Sequence, residues 1–138
     1  MIETVILADA SEATRAALKE SLLGAGYAVT SATDGTEAKA ALDAAAEDGC
    51  GPDVLLIDPV IEGIAGYDVI RLAKQRFPET VIVAISGGTR SVPAELALEL
   101  ARQSGAGLCL RKPFRSDELV RIVRQLTAAS AGRDRTGT

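Results

Sequence analysis

Four short apolar runs, Val5–Ala8, Val54–Ile57, Val81–Ile85 and Leu108–Leu110, lack the apolar/polar alternation of a strand with one wet face. They read as strands buried on both sides. A fifth and weaker candidate, Tyr27–Thr30, follows Gly24-Ala25-Gly26, a punctuation that ends helices. Between these runs the spacing predicts helices over about residues 12–24, 36–47, 65–76, 92–104 and 116–127. Ala38, Ala41, Leu42 and Ala45 fall at i, i+3, i+4 and i+7, and Leu119, Ile122, Val123 and Leu126 repeat that pattern. Each set forms one apolar stripe able to lie on a sheet. Ser11 and Ser116 are placed as N-caps, and Asp117 and Glu118 fall in a first turn, where the helix dipole favours anions. Pro93 suits a helix start, and Pro78 ends the third helix.

Strand and helix alternate five times, which implies a parallel sheet with helices on both faces, because right-handed crossovers lay each helix over the sheet. The expected class is α/β, a doubly wound (βα)5 three-layer sandwich. At 138 residues the chain has the length of one domain, expected over residues 1–127. Residues 128–138 carry no periodic apolar pattern and are expected to form a disordered tail.

Composition narrows the chemistry. Aromatic residues are only 3% of the chain, so the core must be built from Ala, Val, Ile and Leu. No apolar run approaches the roughly 18 residues of a membrane span, and Met1 leads directly into a strand-like segment, so a cytoplasmic protein without membrane contact is expected. Cys50 and Cys109 make no disulfide framework and no zinc spacing. Histidine is absent, which leaves carboxylates, hydroxyls and Lys to carry any reaction. The net charge of −4 is unevenly spread: residues 1–101 hold 16 acidic and 7 basic side chains, residues 102–138 hold 3 and 8. Arg111, Arg115, Arg121, Arg124, Arg133 and Arg135 make the basic end. With the chain acidic overall and no DNA-binding motif, a solvated or protein-facing helix is favoured over nucleic-acid contact.

Ligands of doubly wound sheets bind beyond the carboxyl ends of the strands. The residues there are Asp9, Asp58, Ser86 and Lys112. Two carboxylates, a hydroxyl and an ammonium could hold a hard divalent cation through oxygen and a phosphoryl group between metal, hydroxyl and ammonium. Taken singly, each has a plainer reading: Lys112 as surface decoration, and Ser86 as a hydroxyl bonding nearby backbone. Asp34 and Asp53, beside Gly35 and Pro52, read as turn residues.

Taken together, the segments resemble the CheY-like receiver domains of two-component response regulators over about residues 3–127. Val5-Ile6-Leu7-Ala8-Asp9-Ala10-Ser11 through Arg15 is similar to that family's first strand and acidic turn, and Pro52 through Asp58 to its phosphoacceptor strand. Gly63 and Gly66 match the following loop, Ala84-Ile85-Ser86-Gly87 the switch strand, and Gly105 through Lys112-Pro113-Phe114 the last strand and its Lys-Pro turn. The resemblance implies strand order 2-1-3-4-5 and a cis Lys112-Pro113 bond. It implies that Asp58 accepts a phosphoryl group from a histidine kinase or histidine phosphotransfer protein. Mg²⁺ would be held by Asp9, Asp58 and the Val60 carbonyl, with Ser86 and Lys112 taking the phosphoryl oxygens. Output would pass to a downstream protein through the face made by the fourth helix, fifth strand and fifth helix. Such a chain is a single-domain phosphoacceptor and not a turnover enzyme.

Several positions depart from that pattern. Ala10 stands where the family carries its direct metal ligand, so poorer Mg²⁺ affinity is expected. Glu62 and Ala65 stand where Pro and Asp are common, Gly87-Gly88 opens the approach to the acceptor, and Cys109 takes the place of the switching aromatic. Ala10 and Cys109 also support an alternative, a phosphorylation-independent pseudo-receiver that acts as a protein-binding module. A phosphate-ester or nucleotide hydrolase is disfavoured, since Pro59-Val60 after Asp58 lacks a second Asp and no GxxxxGK[ST] loop exists.

Overall fold

The structure, a computed structural model, describes residues 2–89 and 91–136. Ten elements alternate: β1 Thr4–Ala8, α1 Glu12–Gly24, β2 Ala28–Ala32, α2 Gly35–Glu47, β3 Val54–Ile57, α3 Gly66–Arg76, β4 Val81–Ser86, α4 Ala94–Ser104, β5 Leu108–Arg111 and α5 Ser116–Thr136. The strands form one parallel sheet in the order β2-β1-β3-β4-β5. This is the expected doubly wound topology.

Side chains alternate across a strand, so each apolar run supplies two cores at once. Ile6, Ala8, Leu55, Ile57, Ile82 and Ala84 pack against α2, α3 and α4 through Ala38, Leu42, Val69, Ile70, Ala73 and Ala101. Val5, Leu7, Val54, Leu56, Val83 and Ile85 pack on the other face against Leu18 and Leu22 of α1 and Leu119, Val120 and Val123 of α5. Burial of β3 on both faces explains why it reads as an unbroken apolar run.

Helix ends follow their local chemistry. Ser11 caps α1 by accepting a hydrogen bond from the Thr14 N–H at 3.2 Å. The same helix ends with Tyr27 N–H bonding Leu22 C=O and Gly26 N–H bonding Leu23 C=O, and Gly26 takes φ +96°. This paired motif needs a left-handed residue at Gly26. Asp34, read from sequence as a turn residue, is the N-cap of α2 and accepts from Glu37 N–H at 2.8 Å. Asp53 accepts from Thr4 N–H at 2.7 Å, joining the approach to β3 with the start of β1.

Two boundaries differ from the sequence expectation. Ser116 is the first residue of α5 and does not precede it as a cap. The α5 backbone runs to Thr136, past residue 127, where the expected tail begins. Ala128, Ala129 and Ala131 have high helix propensity, which sustains the helix after the apolar stripe has ended. Residues 137 and 138 of that tail lie outside the described residues, as do the side chains of Arg133 and Arg135.

Candidate functional site

The carboxyl ends of β1, β3 and β5 bring three charged groups together. Asp58 follows β3 directly, and its N–H donates to Ala8 C=O at 2.9 Å, which sets it beside the end of β1. Lys112 follows β5, and its N–H donates to Ser86 C=O at 2.9 Å. The Lys112-Pro113 peptide is cis, as the resemblance implies. From that position the Lys112 ammonium reaches both carboxylates: Nζ lies 2.7 Å from Asp9 Oδ2 and 3.2 Å from Asp58 Oδ2.

The remaining carboxylate oxygens are occupied as well. Asp9 Oδ1 accepts from Ser11 N–H at 2.8 Å, and Asp58 Oδ1 accepts from Val60 N–H at 2.9 Å. Arg15 donates to the Asp9 backbone carbonyl at 2.6 Å. The two carboxylates differ in access. The Asp9 side chain is 2% exposed and that of Asp58 is 14% exposed, so Asp58 is the carboxylate open to solvent.

Burial pushes the Asp58 carboxyl above the ordinary range, against the Val60 hydrogen bond and the Lys112 charge, both of which favour the anion. For Lys112 burial acts downward, but the hydrogen bond to Asp9 and the charges of Asp9 and Asp58 outweigh it, and the ammonium is held above its usual value. Tyr67, near the start of α3, is raised by burial and then by the Asp58 charge, a neighbour of the site that spacing did not single out.

Ser86 does not join these contacts. It is fully buried, and its hydroxyl oxygen accepts from Gly88 N–H at 3.1 Å. The pairing of Ile57 with Ala84 places Ser86 one step further along its strand than Asp58. Ala10 and Val60 line an open cleft of about 440 Å³, together with Thr33, Asp34, Ile61, Glu62 and Thr89. The loop carrying Glu62 is fastened to α2, since Glu62 C=O accepts from Gly35 N–H at 2.8 Å. Cys109 sits on β5, where its thiol donates to Leu98 C=O of α4 at 3.3 Å.

The family model for the response regulator receiver domain matches residues 5–124. The chain belongs to this family. Over 119 residues the receiver is 34% identical to the DNA-binding transcriptional regulator NtrC of Salmonella typhimurium, an alignment covering 86% of this chain and 24% of NtrC. It is 31% identical over 99 residues to the uncharacterized transcriptional regulatory protein YkoG of Bacillus subtilis, covering 72% of this chain and 40% of that protein. The chain therefore spans well under half the length of these curated relatives. A CheY-like receiver domain protein from Methanospirillum hungatei has the same fold, with a TM-score of 0.80 at 16% identity over 96% of this chain and 99% of that one.

Receivers as a family bind Mg²⁺. The donors that the resemblance implies for this receiver, the Asp9 and Asp58 carboxylates and the Val60 carbonyl, would all be hard oxygens of the type Mg²⁺ prefers, while Ala10 offers no side-chain oxygen. Each carboxylate oxygen accepts one protein hydrogen bond and keeps a second lone pair, so the donor set fits the ion with one ligand fewer.

Proposed function

We propose that the receiver accepts a phosphoryl group on Asp58 from the phosphohistidine of a histidine kinase or histidine phosphotransfer protein and signals through protein contacts. The observation that carries this reading is the partly exposed Asp58 carboxylate at the end of β3, paired with Lys112, which can stay beside the new phosphoryl oxygens. An Asp58 carboxylate oxygen attacks phosphorus, the P–N bond of the donor breaks, and the pair of electrons leaves with the imidazole, which takes up a proton. The product is an acyl phosphate at Asp58.

Lys112 then neutralises charge on the transferred group. Ser86 contributes once its hydroxyl gives up Gly88 N–H and turns towards the phosphoryl oxygens. Mg²⁺, when bound, supplies further neutralisation of the phosphoryl oxygens, and Asp9, Asp58 and the Val60 carbonyl would hold it, with an affinity lowered by Ala10. The Ser86 movement shifts an equilibrium read at α4, β5 and α5, where a downstream protein would bind. In this reading the receiver is a signalling acceptor in the cytoplasm and not a turnover enzyme. No helix among the described residues is long and apolar enough to cross a membrane.

A second reading, a phosphorylation-independent binding module, is favoured by Ala10 and by the hydrogen bond that each oxygen of both carboxylates already accepts. Incubation with phosphoramidate and Mg²⁺, followed by intact mass, separates the two. One added phosphoryl group in the natural chain and none in Asp58→Asn supports the acceptor. No added group, with labelling gained in Ala10→Asp, supports the binding module.

A further inference from the structure

The loop that leaves Asp58 is closed on itself and then fastened to α2, a helix that carries none of the strand-end residues. At its base the backbone of Gly66 lies against Pro59, leaving no room for a Cβ. At its tip Gly35 N–H donates to Glu62 C=O at 2.8 Å, and Ile64 C=O rests on Gly35 so closely that a Cβ there would overlap its oxygen. Gly63 meets the Thr36 side chain, whose Oγ1 would lie 2.6 Å from a Cβ on that glycine. Ile61 and Ile64 pack on the core cluster to which Ala38 and Leu42 of α2 belong. Resting on the reading of Asp58 as the acceptor, we propose that the first turn of α2 positions its carboxylate, with Gly35 and Thr36 as positioning residues that act through this loop.

The start of α2 is a firm anchor. A helix leaves its first N–H groups without partners of its own. In α2 the Gly35 N–H goes to Glu62, and the Glu37 N–H goes to Asp34 Oδ1 at 2.8 Å. Thr33 donates to Glu37 Oε1 from both its N–H and its hydroxyl, each at 2.7 Å, which ties the end of β2 to the same turn. The link from this anchor to the acceptor is short. Only Val60 and Ile61 separate the fastened Pro59 and Glu62, and Val60 N–H donates to Asp58 Oδ1 at 2.9 Å. Close packing leaves such a link little slack to absorb a shift. A displacement at Gly35 therefore reaches the hydrogen bond that orients Asp58, and misplacing reacting groups by about 1 Å can slow a reaction about a hundredfold.

Glycine is not required at position 35 by its backbone. Gly35 is absent from the glycines with positive φ, and inside a helix alanine is intrinsically the better residue. Lack of room against Ile64 is what excludes a side chain there. Gly35→Ala thus probes the clasp and not the ability of α2 to form.

The test uses the full chain. In ¹H–¹⁵N spectra recorded without phosphodonor, Gly35→Ala should shift the Val60 amide resonance while the amides of β1 stay in place. With saturating phosphoramidate and Mg²⁺, the same variant should label Asp58 at least about tenfold more slowly, with little change in the half-saturating concentration. Ala44→Gly, at an exposed position in the last turns of α2, weakens the helix away from the clasp and should label at the natural rate. Thr36→Ala, also at an exposed position, removes the contact with Gly63 and should move the Val60 resonance, so the proposal stays testable should Gly35→Ala not fold. A Val60 resonance unmoved in both clasp variants overturns the proposal, as does labelling of Gly35→Ala at the natural rate or equal slowing in Ala44→Gly. Absence of label in the natural chain, with the Val60 shift present, removes the acceptor reading and still supports the hold of α2 on the Asp58 loop.

Discussion

The Cys109 thiol donates a hydrogen bond to the Leu98 carbonyl at 3.3 Å, fastening β5 to the middle of α4. A second contact, the ion pair of Arg111 with Glu95, joins the same two elements. Burial raises the Cys109 thiol above its ordinary pKa, so it stays protonated and poorly nucleophilic at neutral pH. Cys50 is exposed. Iodoacetamide is therefore expected to label Cys50 first and Cys109 much more slowly, giving one adduct by intact mass well before two. Simultaneous labelling would contradict the tether.

Asp58→Asn is expected to raise the melting temperature at neutral pH by a few degrees. The folded-state pKa of Asp58 lies above its usual value because burial outweighs the Val60 hydrogen bond and Lys112. A carboxyl shifted upward stabilises the fold while protonated, and that stability is lost as pH rises through its folded pKa. The difference between the Asn variant and the natural chain should thus vanish in acid, below the usual carboxyl pKa, and open as pH rises. Calorimetry from pH 3 to 7 measures it, and a gap that widens in acid would reverse the assignment.

Ala65 is the N-cap of α3 and makes no side-chain capping bond. Ala65→Asp supplies an oxygen for the free N–H groups of the first turn and a negative charge at the positive end of the helix dipole, worth about 1 kcal/mol. Denaturant unfolding should show a higher midpoint with an unchanged slope.

Gly66→Ala should do the opposite. A Cβ at Gly66 would overlap the backbone carbonyl of Pro59, in the loop that leaves Asp58. Relief requires the loop to move, at a cost of about 1–3 kcal/mol. Urea unfolding reads the loss, and a variant as stable as the natural chain would show that the loop yields freely.

Much of the fold was legible from the chain alone. The runs at Val5, Val54, Val81 and Leu108 are strands, all five helices lie where their spacing predicts, and the sheet has the order implied by the resemblance. Less legible was β2, an edge strand whose residues are mostly exposed and so carry little apolar signal. Asp34 shows the limit of reading a residue from its neighbours: Gly35 suggested a turn, but the bond that matters runs to Glu37 N–H at the start of a helix.

The sequence by itself determined the class of fold and the residues at the strand ends, because hydrophobic period and helix capping are properties of adjacent positions. Only the tertiary structure decided which atom meets which. Lys112 is 103 residues from Asp9 and 54 from Asp58, and their joint contact depends on β1 and β3 lying side by side and on Lys112 N–H holding to the end of β4. Ser86, at the expected strand end, turns its hydroxyl to Gly88, a matter of side-chain rotation that no spacing encodes. The strand-end residues could be named from the chain, while the ammonium between the two carboxylates became visible only once the strands were laid in register.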